Sequence, residues 1–504
     1  MTPGSKPPAD TGRFPDPVYK ETVLKPLFEG AKAYFVDGFR RIDRAHLVML
    51  AERGIAADAD ARAIARALEA IDREVDVAGL TYTGEVEDFF FLVEAELKKR
   101  LGPDVAGRLH TGRSRNDIDH TLFRLRLKQE IDRLAEKLRA LIATLIDVAA
   151  RESGTIILAY THGQPAQPST FGHYLSAVIE VLLRDAERLA AARKVVDHSP
   201  MGAAAITTSG FPLDRERVAE LLGFAAPTGN SYGSIAAVDY ITATFAAIEL
   251  TFLHLGRPIQ DLVFWSSFEV GQIHVPDAFV QVSSIMPQKR NPVPIEHLRH
   301  LASQTMTRAH AMLEVMHNTP FTDMNDSEGE SQAMGYGAFA AAHRVLDLTT
   351  ALLPALSIDR ARVADNIRRS CATVTELADS LVRQEGLSFR QAHEIASRVA
   401  GAVVAVMGDL ATGGYAPFQA AFAAVAGRQT KIGAGDFGEI VSPEHFIAVR
   451  DRPGGPAPRA LAEALALYRR QLAGLAEAAV ADATREAAAA ALLGETFKQL
   501  TRGA

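Results

Sequence analysis

The stretch from Asp119 to Ala150 constrains the fold more than any other part of the chain. It runs for more than thirty residues without a glycine or a proline. That is far beyond the usual length of a helix in a globular protein. Because so long a helix needs neighbours of similar length beside it, the stretch predicts an extended helical bundle.

Helical patterns recur along most of the chain. Residues 61–75 place apolar side chains three and four positions apart, as an amphipathic helix requires. Alternating apolar and polar runs, which would indicate strands, are nearly absent. We therefore expect an all-α fold, with further long helices near residues 169–196, 237–265, 294–316 and 332–353. Helices that are apolar around most of their circumference need cover on several sides, which favours oligomerisation.

Two interruptions of the helical pattern divide the chain into three segments. A polar loop near residue 115 and a proline-containing break before residue 365 mark the limits. The prediction is an N-terminal helical domain with an extended arm (1–115), a central bundle (116–365) and a small C-terminal helical domain (366–504). The last segment ends in an alanine-rich helix, which we expect to stop at Gly494.

The composition is ordinary for a soluble globular protein, with 48% hydrophobic and 23% charged residues. A net charge of −7 argues against nucleic acid or an anionic membrane as the main partner. Cys371 is the only cysteine, which excludes an internal disulfide and suits a reducing cytosol. Residues 1–17 are polar and rich in proline, without the apolar run of a secretory signal or membrane span. These features predict a cytoplasmic protein.

Three polar segments interrupt the helical chain, each directly before a long helix. They are HTGRSRND (110–117), THGQPAQP (161–168) and QVSSIMPQKRNP (281–292). The amino terminus of a helix offers unpaired backbone N–H groups, a natural place for a carboxylate or phosphate. Taken singly, the first is more typical of a capped helix start than of a binding site, and the third is as typical of a solvated connector as of an anion-binding loop. His162 could cap a helix, and Glu296 could be a favourable charge in a first helical turn.

Taken together, in this order and spacing, the three segments resemble the fumarase/aspartase superfamily. The resemblance is greatest to its argininosuccinate lyase branch, where HTGRSRND and SSIMPQK are characteristic. Residues 44–55, 210–224 and 386–400 agree as well, so the match extends from about residue 12 to about residue 450. The resemblance implies a three-domain fold whose central helices form the core of a homotetramer.

The resemblance also implies a reaction. Members of the superfamily eliminate an amine or water from a succinyl group and release fumarate. A proton leaves the carbon beside a carboxylate, which must then carry a second negative charge as an aci-anion. Such a species needs donors and cations aimed at its oxygens in a site closed to water. The active sites would be shared between subunits, and no cofactor or metal is implied.

The resemblance implies roles for the residues at matching positions. Ser283 would be the general base, although a serine hydroxyl needs local stabilisation of its alkoxide to act as one. Lys289 and Asn291 would hold the carboxylate and its developing charge. His162 would orient the substrate or relay a proton to the leaving amine, with Glu296 hydrogen-bonded to it. The residues expected to bind the succinyl carboxylates are Ser114, Arg115, Asn116, Thr161 and, as an added donor, Gln164.

The part of the pattern that recognises arginine does not match. Where the branch carries Tyr, Gln and Lys downstream of the lid, this chain has Asp323, Glu328 and Ser331. The EDVH segment of the branch is EDFF in this chain (87–90), and the NPD of the branch is NPV. The predicted amine pocket comprises Asp43, Asp88, Phe90, Val293, Asp323, Glu328 and Ser331. Because acids replace donors, we expect a carbon–nitrogen lyase whose amine is not arginine but is cationic or more apolar.

Two alternatives stay open. One is the reaction for which the branch is named, the cleavage of argininosuccinate to arginine and fumarate. The other is a non-enzymatic structural protein, because members of this branch have been recruited to the lens. The presence of Ser283, His162, Lys289 and Asn291 weighs against a purely structural role, since packing alone does not require them.

Overall fold

The computed structural model describes residues 14–502. The polar, proline-rich residues before Phe14 therefore lie outside the described residues. The first part of the described chain contains one π-helix, Lys20–Leu24, and a 3₁₀ turn at Arg108–His110. Its α-helices are α1 (Pro17–Tyr19), α2 (Lys25–Tyr34), α3 (Val36–Glu52), α4 (Asp58–Glu74), α5 (Phe89–Leu101) and α6 (Pro103–Gly107).

Five long helices form the centre of the molecule. Each packs on the next, and the fifth packs back on the first, so that they close into a ring. In chain order the central helices are α7 (Arg115–Arg151), α8 (Phe171–Val196), the short α9 (Arg215–Leu222) and α10 (Ser231–Ala236), α11 (Asp239–Trp265), α12 (Val293–Met316) and α13 (Gly329–Leu352). The ring consists of α7, α8, α11, α12 and α13. The predicted all-α bundle is confirmed.

The sequence of α7 explains its start and its burial. The Ser114 backbone N–H donates to the Asp117 carboxylate at 2.9 Å, which closes the first turn of the helix. Along its length, leucines and isoleucines at helical spacing turn inward, including Leu127, Leu141 and Ile142. Its 37 residues span about 55 Å.

Short strands pair beside the bundle. They are β1 (Ile156–Thr161) with β2 (Gln164–Thr170), β3 (His198–Ser199) with β4 (Ala226–Pro227), β5 (Ile273–His274) with β8 (Ser357–Ile358), and β6 (Gln281–Val282) with β7 (Arg290–Asn291). The sequence pattern does not predict the β1–β2 hairpin, which includes the polar segment 161–168. The two prolines of β2 disguise it, since proline is rare inside a sheet and tolerated at its edge.

The C-terminal part contains a second, smaller core. Leu377, Ile395 and Phe418 lie at its centre, fully buried. Its helices are α14 (Arg360–Ser370), α15 (Val374–Glu385), α16 (Phe389–Ala405), α17 (Leu410–Gly413), α18 (Tyr415–Ala426), α19 (Ala434–Ile440) and α20 (Pro443–Ala448). No helix among residues 14–502 has the length and apolarity needed to span a bilayer.

The last helix, α21 (Pro458–Arg502), returns to the main bundle and packs along α7 and α8. The prediction that it stops at Gly494 is wrong. A glycine inside a helix costs only about 1 kcal/mol, and Leu493 and Phe497 on either side are buried in the main core. Packing therefore carries the helix through. The domain limits near residues 115 and 365 stay predictions.

A partly buried group of charges joins α21 to the bundle. The Lys128 ammonium lies 2.6 Å from the Asp197 carboxylate and 2.9 Å from that of Glu486. Arg193 pairs with Asp132 at 2.8 Å and also reaches Glu486. We call this group the α21 network; its members are Lys128, Arg193, Arg485, Asp132, Asp197 and Glu486.

Candidate active site

A cavity of about 220 Å³ opens at the end of the bundle where α7 begins. One side is made of apolar residues of the N-terminal helices and the other of charged residues from α7, the start of α5 and the loop before α13. We call it the N-terminal cavity. Five of the predicted site residues line it, namely Asp88, Arg115, Asn116, Asp323 and Glu328.

Arg115 lies among carboxylates. Its guanidinium is 3.0 Å from Glu87 and 2.9 Å from Asp88, and a third acid, Asp119, lies 3.7 Å away. Asp88 also caps α5 by accepting the Phe91 N–H at 3.0 Å. Arg115 was predicted to bind a substrate carboxylate, and in a single chain its donors already face three acids.

Asn116 and Asp323 connect the cavity to the core. The Asn116 side chain accepts a hydrogen bond from Ser114 at 2.7 Å and donates one to the Asp323 carboxylate. Behind Asp323 lies His120, whose Nε2 is 3.4 Å from a carboxylate oxygen and whose Nδ1 is 3.1 Å from the Tyr240 hydroxyl. The carboxylate of Asp323 is thus bounded by an amide on one side and a buried imidazole on the other.

Burial in the cavity shifts several pKa values. Loss of solvent raises the pKa of Asp88, against the opposing effect of Arg115. Burial also raises the pKa of Asp119 well above its usual value. Burial, and then the neighbouring charge of Asp323, raises the pKa of Glu328. His120 has a lowered pKa, again chiefly because it is buried, so its imidazole is neutral at pH 7.

Other predicted amine-pocket residues lie elsewhere. Asp43 forms a buried ion pair with Arg113 at 2.6 Å, and the Phe90 ring packs beneath the same guanidinium. Both belong to a cluster that fixes the first polar segment, outside the N-terminal cavity. Val293 begins α12 beside the lid, and Ser331 lies in the first turn of α13, beyond the residues that line the cavity.

The third polar segment forms a projecting lid held by the β6–β7 pair. Within it, the Ser283 hydroxyl oxygen accepts backbone N–H groups from Met286 at 3.1 Å and Ile285 at 3.4 Å. This is a serine turn, and it also places two donors where they would stabilise an alkoxide.

The base of the lid is anchored, whereas most of its length is exposed. Arg290 donates to the Val275 carbonyl at 2.8 Å and pairs with Asp277, which fixes the returning strand. Lys289 is exposed, and Asn291 lies in β7 on the edge of the lid. Glu296 is exposed in the first turn of α12.

His162 occupies the tip of the β1–β2 hairpin. It and Gly163 both have positive φ, 54° and 74°, the conformation of a two-residue hairpin turn. The tip, including Thr161 and Gln164, is exposed. Among residues 14–502 no hydrogen bond joins His162 to Glu296, although the resemblance implies such a pair.

The site residues therefore fall into separate groups within one chain. Ser114, Arg115 and Asn116 lie at the start of α7, and the hairpin of His162 follows its other end, about 55 Å along. Likewise the lid precedes α12, and Asp323 follows the far end of that helix. The rigid helices keep these groups apart.

Two cavity residues were missed from the sequence. Asp119 lies four positions after Arg115, and His120 four after Asn116, which places each pair on one face of α7. That spacing was the available signal. The sequence predicts a long helix here but does not indicate which of its polar side chains face a cavity. In the described part of the chain, no group of three or more metal-binding side chains is arranged to hold a metal ion.

Comparison with solved structures defines the class of protein. The chain superposes on EDDS lyase in complex with formate with a TM-score of 0.84 at 27% identity, covering 97% of this chain and 96% of that one. A variant of EDDS lyase with bound fumarate gives a TM-score of 0.83 at the same identity and coverage. A class II fumarase from Schistosoma mansoni, 17% identical with a TM-score of 0.65 over 85% of this chain and 92% of its own, shares the fold alone. The protein is a lyase with the fold of the fumarase/aspartase superfamily, as the polar segments predicted.

Sequence comparison defines the family. Residues 43–307 match the family model described as Lyase, and residues 371–448 match the one described as Argininosuccinate lyase C-terminal. A protein of Agrobacterium fabrum named argininosuccinate lyase 2 is 68% identical over 493 residues, covering 98% of both chains. The argininosuccinate lyase of Methanoculleus marisnigri is 39% identical over 436 residues, 86% of each chain. The chain belongs to the argininosuccinate lyase family of carbon–nitrogen lyases.

Proposed function

We propose that the protein catalyses the reversible β-elimination of an N-succinyl amine to fumarate and a free amine. The observation that carries this proposal is the Ser283 hydroxyl, which accepts two backbone N–H groups on a projecting lid. Family membership supports the same reaction, as does the fumarate bound to the structurally similar EDDS lyase variant.

The chemistry proceeds by proton removal followed by loss of the amine. The Ser283 alkoxide takes a proton from the succinyl carbon beside one carboxylate, whose oxygens then carry the negative charge. Lys289 and Asn291 donate to those oxygens, and the lid excludes water. The C–N bond breaks, its electron pair leaves with nitrogen, and His162, oriented by Glu296, gives that nitrogen a proton. The new carbon–carbon double bond is that of fumarate.

The complete site requires more than one copy of the chain. The start of α7, the hairpin tip and the lid occupy different ends of rigid helices, so one protomer does not bring them together. We propose a homotetramer in which neighbouring protomers contribute Thr161, His162 and Gln164 from the hairpin, Ser283 from the lid, and Ser114 and Asn116 from α7. The single cysteine and the absence of a spanning helix among residues 14–502 support a cytoplasmic location.

Argininosuccinate is the first candidate substrate. The names of the relatives at 68% and 39% identity favour it over another amine. The prediction that the amine is not arginine is unconfirmed. A second candidate, an N-succinyl derivative of a cationic amine without arginine's carboxylate, is favoured by the acids of the N-terminal cavity.

Fumarate formation, followed by ultraviolet absorbance, tests the reaction. Ser283→Ala should lower kcat by about 10²- to 10⁴-fold while the circular dichroism and unfolding midpoint stay unchanged, because the side chain is partly exposed on the lid. Ser284→Ala, at the neighbouring exposed position, is the matched control and should keep most of the activity. Full activity in Ser283→Ala would overturn the assignment. A folded wild type inactive on every N-succinyl amine tried would favour the structural alternative.

The two substrates are separated by direct competition. Argininosuccinate and a succinyl derivative of agmatine, which lacks the carboxylate, are offered together and the products quantified. A higher kcat/KM for argininosuccinate favours the first candidate. A higher value for the agmatine derivative favours the second.

A further inference from the structure

The charges that line the N-terminal cavity are not balanced. Five carboxylates face it, and one guanidinium, that of Arg115, accompanies them. The acids are Glu87, Asp88, Asp119, Asp323 and Glu328. An excess of like charge in a partly enclosed space destabilises the empty protein unless something positive binds there.

The acids differ in how well they are already paired. Glu87 and Asp88 contact Arg115 within 3.0 Å. Asp119 approaches that guanidinium only at 3.7 Å. Glu328 takes part in no side-chain hydrogen bond or ion pair with any residue between 14 and 502. Asp119 and Glu328 are therefore the carboxylates with the most unused binding capacity.

A second observation comes from the buried side of the cavity. The His120 side chain is 1% exposed, and its Nε2 lacks a hydrogen-bond partner among residues 14–502 while facing Asp323 at 3.4 Å. The Asp323 oxygen that it faces is also buried and without a partner. Most buried polar atoms in native proteins have a hydrogen-bond partner, so these two facing atoms need an explanation.

The opposite wall of the cavity is hydrocarbon. It is formed by Leu24, Leu27, Ala31 and Phe35 of the N-terminal helices, and Tyr19 also lines the cavity. Leu24 is the last residue of the π-helix Lys20–Leu24, and π-helical turns are frequent at functional sites. A ligand that fits therefore has an apolar body and a positive end.

Resting on the proposed function, we propose that this cavity is the subsite for the far end of the leaving amine. Asp119 and Glu328 bind an ammonium or guanidinium at that end, and Leu27 and Phe35 contact the carbon chain that joins it to the reacting nitrogen. The class of amine is an aliphatic amine with a second cationic group and no carboxylate. Asp119 and Glu328 are then residues that determine specificity.

Amine addition to fumarate tests the subsite with a matched pair of amines. Arginine and agmatine offer the same guanidine nucleophile and the same far ammonium, and only arginine adds a carboxylate. For the wild type, kcat/KM should be at least about tenfold higher with agmatine than with arginine, because the carboxylate of arginine would face the excess acids of the cavity. Equal or better use of arginine would overturn the proposal.

Variants of the two carboxylates test whether they cause the preference for agmatine. Asp119→Asn and Glu328→Gln should each raise the KM for agmatine about tenfold and lower the ratio of kcat/KM for agmatine to kcat/KM for arginine. The KM for fumarate should change less than about twofold. Glu330→Gln, an exposed acid two positions away in α13, is the matched control and should behave as wild type. Unchanged agmatine KM in both cavity variants would overturn the proposal.

A binding measurement separates this proposal from the reaction itself. If neither amine adds to fumarate, the proposed function fails, and calorimetry of agmatine with the oligomer then tests the cavity alone. Binding that is weakened by Asp119→Asn and unaffected by Glu330→Gln supports the subsite. No binding to wild type overturns it.

Discussion

The α21 network and the N-terminal cavity are both clusters of charge in contact with α7, and they are built in opposite ways. The network contains three cations and three anions, each in contact with at least one opposite charge. The cavity contains one cation and five anions. The first cluster is balanced in charge within the folded chain, whereas the second has an excess of carboxylates.

The difference separates a structural cluster from a binding site. In the network, close pairing offsets the free-energy cost of removing charges from water. Removal of one partner would leave another charge unpaired in a medium of low dielectric constant. In the cavity, burial outweighs the attraction of the single guanidinium, which is why the pKa values of Asp88, Asp119 and Glu328 are raised. Groups arranged this way are typical of functional sites.

The largest effect is expected from breaking the network. Lys128→Met should destabilise the protein by about 3–5 kcal/mol, because Asp197 loses its 2.6 Å partner and the Gly223 carbonyl loses a donor. Denaturant unfolding of the purified protein measures this loss.

Lys137→Met is the matched control on the same helix. Lys137 pairs with Asp347 at the surface, so its removal should change the free energy of unfolding by less than about 1 kcal/mol. Equal losses for the two variants would mean that the network is as dispensable as a surface pair, and the contrast with the cavity would disappear.

An intermediate effect is expected where the cavity meets the core. His120→Leu removes the imidazole that contacts the Tyr240 hydroxyl at 3.1 Å and faces Asp323. The buried groups left without a partner should lower the free energy of unfolding by about 1–3 kcal/mol at pH 7. His310→Leu, an exposed histidine on α12, should change it by less than about 0.5 kcal/mol.

The pH dependence identifies the imidazole as the cause. Burial lowers the pKa of His120, so on acidification the unfolded chain takes up this proton before the folded chain does. Wild-type stability should therefore fall as the pH drops below about 6.5, and the variant should lose less over the same range. A constant difference between pH 7 and pH 5 would contradict this account.

The sequence predicts the long helices and the polar segments but not the long-range contacts within these two clusters. The long helices follow from apolar spacing, and the polar segments that carry Ser283, His162 and Arg115 stand out because they interrupt it. Pairing between distant residues leaves no such local mark. Neither the contact of Lys128 with Glu486, which joins α7 to α21, nor that of Asn116 with Asp323 is visible in one sequence.

The hairpin and the end of the last helix are not predicted, for related reasons. Prolines in β2 conceal a strand whose register is set by the turn at His162 and Gly163. Local propensity alone predicts a helix stop at Gly494, whereas burial of Phe497 in the main core carries the helix past it. Asp43 and Phe90 were grouped with the amine pocket by position, and the structure packs both against Arg113.

The smallest effect, and the only one of opposite sign, is expected inside the cavity. Burial and the charge of Asp323 raise the pKa of Glu328, so the folded chain holds this proton more tightly than the unfolded chain. Stability then declines as the pH rises from the usual value of about 4.5 through the raised value, and the deficit persists at pH 7. Glu328→Gln does not ionise and should be as stable as wild type or up to about 1 kcal/mol more stable at pH 7, with the difference vanishing below pH 4. Glu330→Gln should show no such pH-dependent gain, and a clear loss of stability in Glu328→Gln would mean that this carboxylate has a stabilising partner, as the acids of the α21 network do.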